Sequence, residues 1–508
     1  MKNNIIKIAA LSILTLGVFT SCERELDQSS FSQAPLDQAM KDPKNFTQAI
    51  DGAYSAIKGV STANNPSGSA LPGSGLGYFN NDTGNQIIIP DLTTDNLIVN
   101  PQGRQSNFTA YNWSFSANNA SVTGLFTQGY AVIARANMPL SYLDNLPAGT
   151  FKNNIEAHAR AIRAAVHFDL VRAYCKIPTQ SSDANASLGI SYVKTFNPKD
   201  PGTPRDLSVA QVYDNIIADL NFALANITDE PGNKSRFNKA SINGLLSRIY
   251  LYKGDYNNAV TAGNASIALS SSVGPIAKFA NIWKSNESEG VLFKILNSPQ
   301  ENVTVGVAYQ QGYNPQADGS VGQIKSEYVV PKSLYDLYTT TDVRKSAYMV
   351  RAPFQTTQRN HVIKWGNSAG TGTPLNVVEV KYLRTAEVYL NVAEAAYKLG
   401  NEALANTLLG TLKAQRYTDY TTVTLTGTAL WNEIMLQRRL ELAFENDRFY
   451  TFKRQGRTMQ RTGEGPNIDG TGSASLVQTI QPTDTRWQWP IPQTAINITP
   501  SLQQNPGY

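Results

Sequence analysis

The chain has 508 residues, 41% apolar and 16% charged, which describes a globular protein and excludes a disordered one. Its 44 basic and 39 acidic residues leave a net charge of +5 with no basic block, so nothing argues for nucleic acid. Two cysteines, Cys22 and Cys175, give no disulfide framework, and His158, His167 and His361 lie too far apart for HExxH-type zinc spacing. No cofactor is expected. An oxygen-ligand calcium site stays open, because such sites carry no short signature outside the EF-hand pattern.

Residues Met1 to Lys7 hold two lysines and no acid, and Ile8 to Phe19 are almost continuously apolar. As a helix those twelve residues would reach roughly 18 Å, short of the roughly 30 Å hydrocarbon core of a bilayer. The pattern is that of a secretory signal over 1–21. Thr20 and Ser21 before Cys22 resemble a bacterial lipobox, in which the thiol is acylated and becomes the new N-terminus. Two acyl chains on Cys22 would anchor the protein stably where one would not. Residues 22–40 then read as a polar tether, and 41–508 as the folded body.

Helical periodicity follows. "KNFTQAIDGAYSAIKGV" opens the body and "TGLFTQGYAVIARANMPLSYLDNL" comes after the first long insertion. Ile155, Ala159, Ile162, Val166 and Leu170 form an apolar stripe that Pro178 closes. Another helix is expected after Asp206, entered through Leu207 and Ser208. "NKASINGLLSRIYLYKGDYNNAVTAGNASIALS" and "YLRTAEVYLNVAEAAYKLGNEALANTLLGTLKAQR" each read as two helices joined at a glycine, with small residues at close-packing spacing. That is the tetratricopeptide pattern. The fold class is therefore mainly α, about four helix pairs carrying a loop-rich half with small β elements.

The loop-rich parts are 62–120, 270–375 and 455–508, with strand-like bursts at 86–89 and 291–295. Loops this long in a compact domain are usually functional or disordered, and their embedded aromatics favour function. Sugars present apolar C–H faces ringed by hydroxyls, so a binder needs aromatic platforms with amides and charges around them. "DLTTDNLIVNPQGRQSNFTAYNW" offers Asp95, Asn96, Arg104, Asn107, Tyr111 and Trp113 within 19 residues. Tyr309 and Tyr313 lie in a glycine-rich loop, Trp365 precedes a flexible stretch, and Tyr78 and Phe79 are a weaker group. For each the alternative is packing, with Trp113 in the core and Asp95 capping a turn. No GxSxG, P-loop or GxGxxG element occurs and no distinctive carboxylate pair stands out, so no enzyme is expected.

"IMLQRRLELAFENDRFYTFKRQGR" at 434–457 reads as one helix whose Arg438, Arg439, Glu441, Glu445 and Arg448 pin the C-terminal segment through ion pairs. Together with "WPIPQTAINITPSLQQNPGY" at 489–508 it resembles the SusD/RagB family of outer-membrane nutrient-binding lipoproteins. "AIDGAYSAI", "RAIRAAVHFDLVRAYCKIP" and "YLRTAEVYLNVAEAA" fit in order. Gln437, Asn446 and Ala495 stand where the family commonly has Glu, Gly and Glu. The resemblance implies a cell-surface lid over a SusC-like TonB-dependent transporter. It implies capture of oligosaccharides, or of peptides in the RagB branch, with Asp95, Arg104 and Trp113 as sugar-site residues. A helical scaffold without a small ligand is the remaining alternative.

Overall fold

The computed structural model describes residues 35–58, 86–199, 202–270, 272–284, 287–296, 307–316, 318–365 and 379–508. The signal segment, Cys22, Tyr78 and Phe79 lie outside the described residues. Of the expected tether, Leu36–Ala39 form a helical turn and Met40 packs on Phe46, Ile50 and Leu146.

The apolar stripes become a stack of helices. α1 (Pro43–Lys58) packs on α2 (Ala120–Leu140), and α3 (Thr150–Tyr174) on α4 (Val209–Asn226). α5 (Lys239–Lys253) pairs with α6 (Tyr256–Leu269), and α7 (Thr385–Lys398) with α8 (Glu402–Ala414). Ser208 starts α4 through a capping box with Gln211, and Asn238 starts α5 through one with Ser241. Gly254 and Gly400 turn the last two pairs at φ of +81° and +77°, a region that favours glycine. Between those pairs a Cβ at Gly263 would lie 2.1 Å from Val392, so only glycine lets α6 lie this close to α7.

The rest is short strands and turns. β1 (Ile98–Val99), β3 (Tyr328–Val329), β5 (Thr357–Val362) and β4 (Met349–Phe354) form an antiparallel sheet in that order. β2 (Val291–Ile295) pairs with β6 (Val380–Arg384), and β7 (Met459–Gln460) with β8 (Thr479–Ile480). The burst at 291–295 is thus a strand, whereas 86–89 is a turn leading into the helical turn Ile89–Leu92. Pro90 explains that difference: it lacks the N–H a ladder needs and suits the first turn of a helix.

The 434–457 motif is two helices, not one. α9 (Gly427–Glu441) ends, Phe444 and Asn446 take φ of +67° and +69°, and α10 (Arg448–Arg454) begins. A left-handed residue at 446 accounts for a position that suits glycine, and asparagine tolerates it better than most. The turn drops Glu441 and Glu445 into a dry cluster of cations. Arg416 donates to both Glu441 oxygens at 2.8 and 2.9 Å, Arg384 adds a 2.7 Å bond, and Arg344 stands at 3.4 Å. Glu445 takes two bonds from Arg384 and one of 2.6 Å from Lys364. Burial alone would raise the Glu441 carboxyl, but Arg416, Arg384 and Arg344 hold it well below 4.5. Arg438 sits on Asp447, and Arg454 on Glu394.

The C-terminal residues close over α3. Asn505 donates to the Tyr174 and Trp489 carbonyls at 2.6 and 2.7 Å, while Arg205 donates to the Gln503 carbonyl at 2.7 Å. Arg205 also reaches Cys175 at 3.6 Å, where the buried thiol ends α3 as a small packed side chain. The histidines do not converge. His158 bonds Tyr54, His167 stacks on Tyr192, and His361 lies between Ser326 and Ala352. Burial pushes them down to about 4, 3 and 4 respectively.

Replacing Glu441 leaves Arg416 without a carboxylate and takes one of two from Arg344 and Arg384, so Glu441→Gln is expected to lower unfolding stability by about 3–5 kcal/mol, read by chemical denaturation. Acidification should act in two stages. The histidines stay neutral in the fold but take up protons below 6.5 once unfolded, so stability falls as pH drops from 6.5 toward 4. Glu441 contributes fully above 4.5 and is lost as pH falls toward its much lower folded value, which steepens the decline. Thermal midpoints measured from pH 8 to pH 3 should show both limbs; a flat profile down to pH 4.5 would contradict the histidine stage.

Candidate functional site

The segment after Ile89–Leu92 leaves the stack, runs through β1, turns at 100–107 and returns through the helical turn Phe108–Tyr111. Gly103 presses the first turn onto β3, since a Cβ there would lie 2.9 Å from the Glu327 Cα. Arg104, its side chain 63% exposed, donates Nε and Nη2 to Glu327 Oε1 at 2.9 and 2.5 Å. The other Glu327 oxygen accepts from the Ser106 N–H. Asn107 is buried and donates to Tyr328 Oη at 2.7 Å. On the far side Arg461 uses its guanidinium on the Thr94, Leu92, Tyr111 and Val477 carbonyls and on Ser475 Oγ. Its charge also sits 4.5 Å over the Tyr111 ring. One arginine thus ties the 92–111 segment to the stretch between β7 and β8.

Several expected ligand residues are core residues. Trp113, 0% exposed, donates its indole N–H to the Thr93 carbonyl and packs edge-on against Trp487 at 5.0 Å. Its ring therefore offers no platform to a sugar, a correction to the expectation. The same holds for Trp365, which donates to the Phe444 carbonyl and meets Trp283, and for Tyr309, which is buried against Tyr328 and Phe444. Tyr313 closes a small cluster with Ile324, Ala352 and Ile363. Asn96 is buried between Asp91 and Arg439. Asp95 accepts two 2.8 Å bonds from Arg448, with Arg439 at 3.1 Å. Burial would raise its carboxyl, but these cations hold it far below the usual carboxylate range, so it is an ion-pair anchor.

What stays available is a face around 100–112. Asp95 and Tyr111 line one small cleft of about 20 Å³ with Arg461, Glu464, Ser475 and Gln478. Phe108, 44% exposed, lies one turn before Tyr111 with ring centroids 6.4 Å apart. Across the cleft Ser475 approaches Asn112 at 3.5 Å, and the following Leu476 is 82% exposed. Gln102 and Arg104 are exposed and Gln105 half-buried. An exposed aromatic ring in a turn that also carries amides is the kind of arrangement a sugar needs. Phe108 is absent from the sequence-based set, and its signal was position: an apolar ring beginning a turn among polar neighbours.

A roomier cavity of about 420 Å³ lies between α2, residues 191–198 and 202–203, and the C-terminal turn. Phe126, Ile133, Val193 and Leu502 line it together with polar Tyr130, Thr195 and Asn197, and no charged side chain among the described residues does. No group of three or more metal-ligating side chains occurs among the described residues.

Residues 345–508 match the family model described as SusD family, and residues 80–251 match one described as starch-binding associating with outer membrane. SusD-like protein P2 of Formosa agariphila is 25% identical over 391 residues, covering 68% of this chain and 73% of that protein. A SusD-like protein of Bacteroides ovatus is 21% identical over 66% of each chain. Among solved structures, a SusD-like carbohydrate binding protein from Bacteroides vulgatus aligns at TM-score 0.75 and 18% identity, over 91% of this chain and 97% of its own. A laminarin binding SusD-like protein aligns at 0.68 and 20% identity, over 92% and 99%. At these identities the structural likeness speaks for the fold, mainly helical with small sheets. With two family models, curated relatives and fold in agreement, the chain belongs to the SusD family.

Proposed function

We propose that this protein is a lipid-anchored surface protein that captures nutrient oligosaccharides and passes them to a SusC-like TonB-dependent transporter, for which it acts as a hinged lid. Family membership supports the reading, as do the laminarin-binding neighbour and the family description that joins starch binding to the outer membrane. The observation that carries it is the exposed Phe108 ring on a turn flanked by Gln102, Arg104, Gln105 and Asn112. Stacking on such a ring, with amides reaching hydroxyls, binds sugar without chemistry, and the protein is read as non-catalytic. Residues 1–21 serve as the export signal and Cys22 as the acylated tether, facing the cell exterior.

Calorimetric titration of the detergent-purified full chain against an oligosaccharide panel should give saturable binding that Phe108→Ala weakens by about tenfold, or about 1.4 kcal/mol. Binding of mixed peptides alone would replace the glycan reading with a peptide cargo. Cys22→Ser is expected to abolish incorporation of labelled palmitate and release the protein from the membrane fraction; retention with the label intact would sink the anchor.

A further inference from the structure

The turn at 100–105 covers a cation that no carboxylate among the described residues neutralises. Arg359 on β5 is only 4% exposed, yet its Nε and Nη1 have no hydrogen-bond partner. Its one bond runs from Nη2 to Gln102 Oε1 at 3.2 Å. Other buried guanidiniums are treated differently. Arg344, Arg384, Arg416 and Arg438 each sit on a carboxylate, and Arg461, which has none, uses its N–H groups on five oxygens. A buried charge left unpaired is costly, so its retention asks for a reason.

The cover over Arg359 is slight and neutral. Gln102 is exposed and leans its Nε2 toward Gln355 Oε1 at 3.4 Å. Gln355, also exposed, occupies the β4–β5 turn at φ +53°. On the same face of β5, His361 stays uncharged near neutral pH because burial holds it at about 4. Nearby, Arg104 is largely exposed and already shares Glu327. Two guanidiniums and one carboxylate leave the patch with an unneutralised positive charge, and the amide oxygen of Gln102 stands where an oxyanion would.

We propose that Arg359, capped by Gln102, is an anion subsite at the edge of the Phe108 face, and that the ligand is an oligosaccharide bearing a uronate carboxylate or a sulfate ester. The inference rests on the glycan reading and adds the charge class. The acid group displaces the Gln102 amide and takes a forked pair of N–H bonds from Arg359, geometry that a guanidinium offers and an ammonium does not. Arg104 raises the local concentration of anionic chains, an effect that salt screens.

The test titrates the detergent-purified full chain with oligogalacturonate, sulfated carrageenan oligosaccharide, neutral laminarin oligosaccharide and polyglutamate. One acidic saccharide should bind saturably, weaken with added salt, and lose about tenfold or more in Arg359→Gln, as expected for a charge-assisted bond. Gln102→Ala removes an exposed cap without touching the core and should tighten the same saccharide, which keeps the proposal falsifiable if Arg359→Gln does not fold. Neutral saccharide bound in a Phe108-dependent way, with no acidic saccharide bound, would overturn the anion subsite and leave the glycan reading standing. Unchanged acidic affinity in Arg359→Gln and Gln102→Ala would also overturn it. Binding of polyglutamate alone, or silence across all four, would overturn both.

Discussion

A single buried carboxylate, Glu441, holds guanidiniums that arrive from three separate parts of the chain: before β4, at the end of β6 and after α8. None of the four side chains has more than slight contact with water. Burying this much charge is tolerable only when each partner is satisfied, so the cluster works as an all-or-none lock. The left-handed turn at Phe444 and Asn446 exists to make that lock, because it folds α10 back and brings Glu445 beside Arg384 and Lys364. The sheet beside the proposed ligand face hangs from the same lock: Lys364 and Arg344 flank β4 and β5, whose turn meets the 100–107 loop.

The proposed binding face that results is shallow. Its rings have mostly been used to build the floor: Trp113, Phe449 and Trp487 pack together beneath it. Phe108 and Leu476 are left on the open side. A rigid floor under a nearly flat platform would suit the extended glycan chains proposed above. The cavity beside α2 lies apart from this; hydroxyls and one amide, Asn197, interrupt its apolar lining.

Much of the architecture was legible in the sequence, for a physical reason. Helix pairs announce themselves locally, through stripes at steps of three and four and through glycines such as Gly254 and Gly400 that must turn left-handed. The ion pairs were legible by residue type and not by partner. Arg438 does find Asp447 nearby, but Glu441 pairs with residues 344, 384 and 416, which no local spacing reveals. The aromatic loops were the hardest part. A tryptophan in a polar stretch reads as a platform or as core with equal ease, and Trp113 becomes core only because Trp487 and Phe449 come to meet it. Tyr309 and Trp365 failed as platforms for the same reason, and Phe108 stands out only once the turn leaves its ring exposed.

That dependence on distant partners has a consequence for how the protein is made. Arg486 donates to the Trp113 carbonyl across 373 residues of chain, and Asn505 to the Tyr174 carbonyl across 331. Contacts of such long range are slow to form and cannot form until the late residues exist. The helix pairs can assemble during synthesis, but the loop-rich half waits for residues from 486 onward. A polypeptide meant to cross a membrane as an unfolded thread would benefit from that delay, since its final shape cannot lock before its tail has left the ribosome.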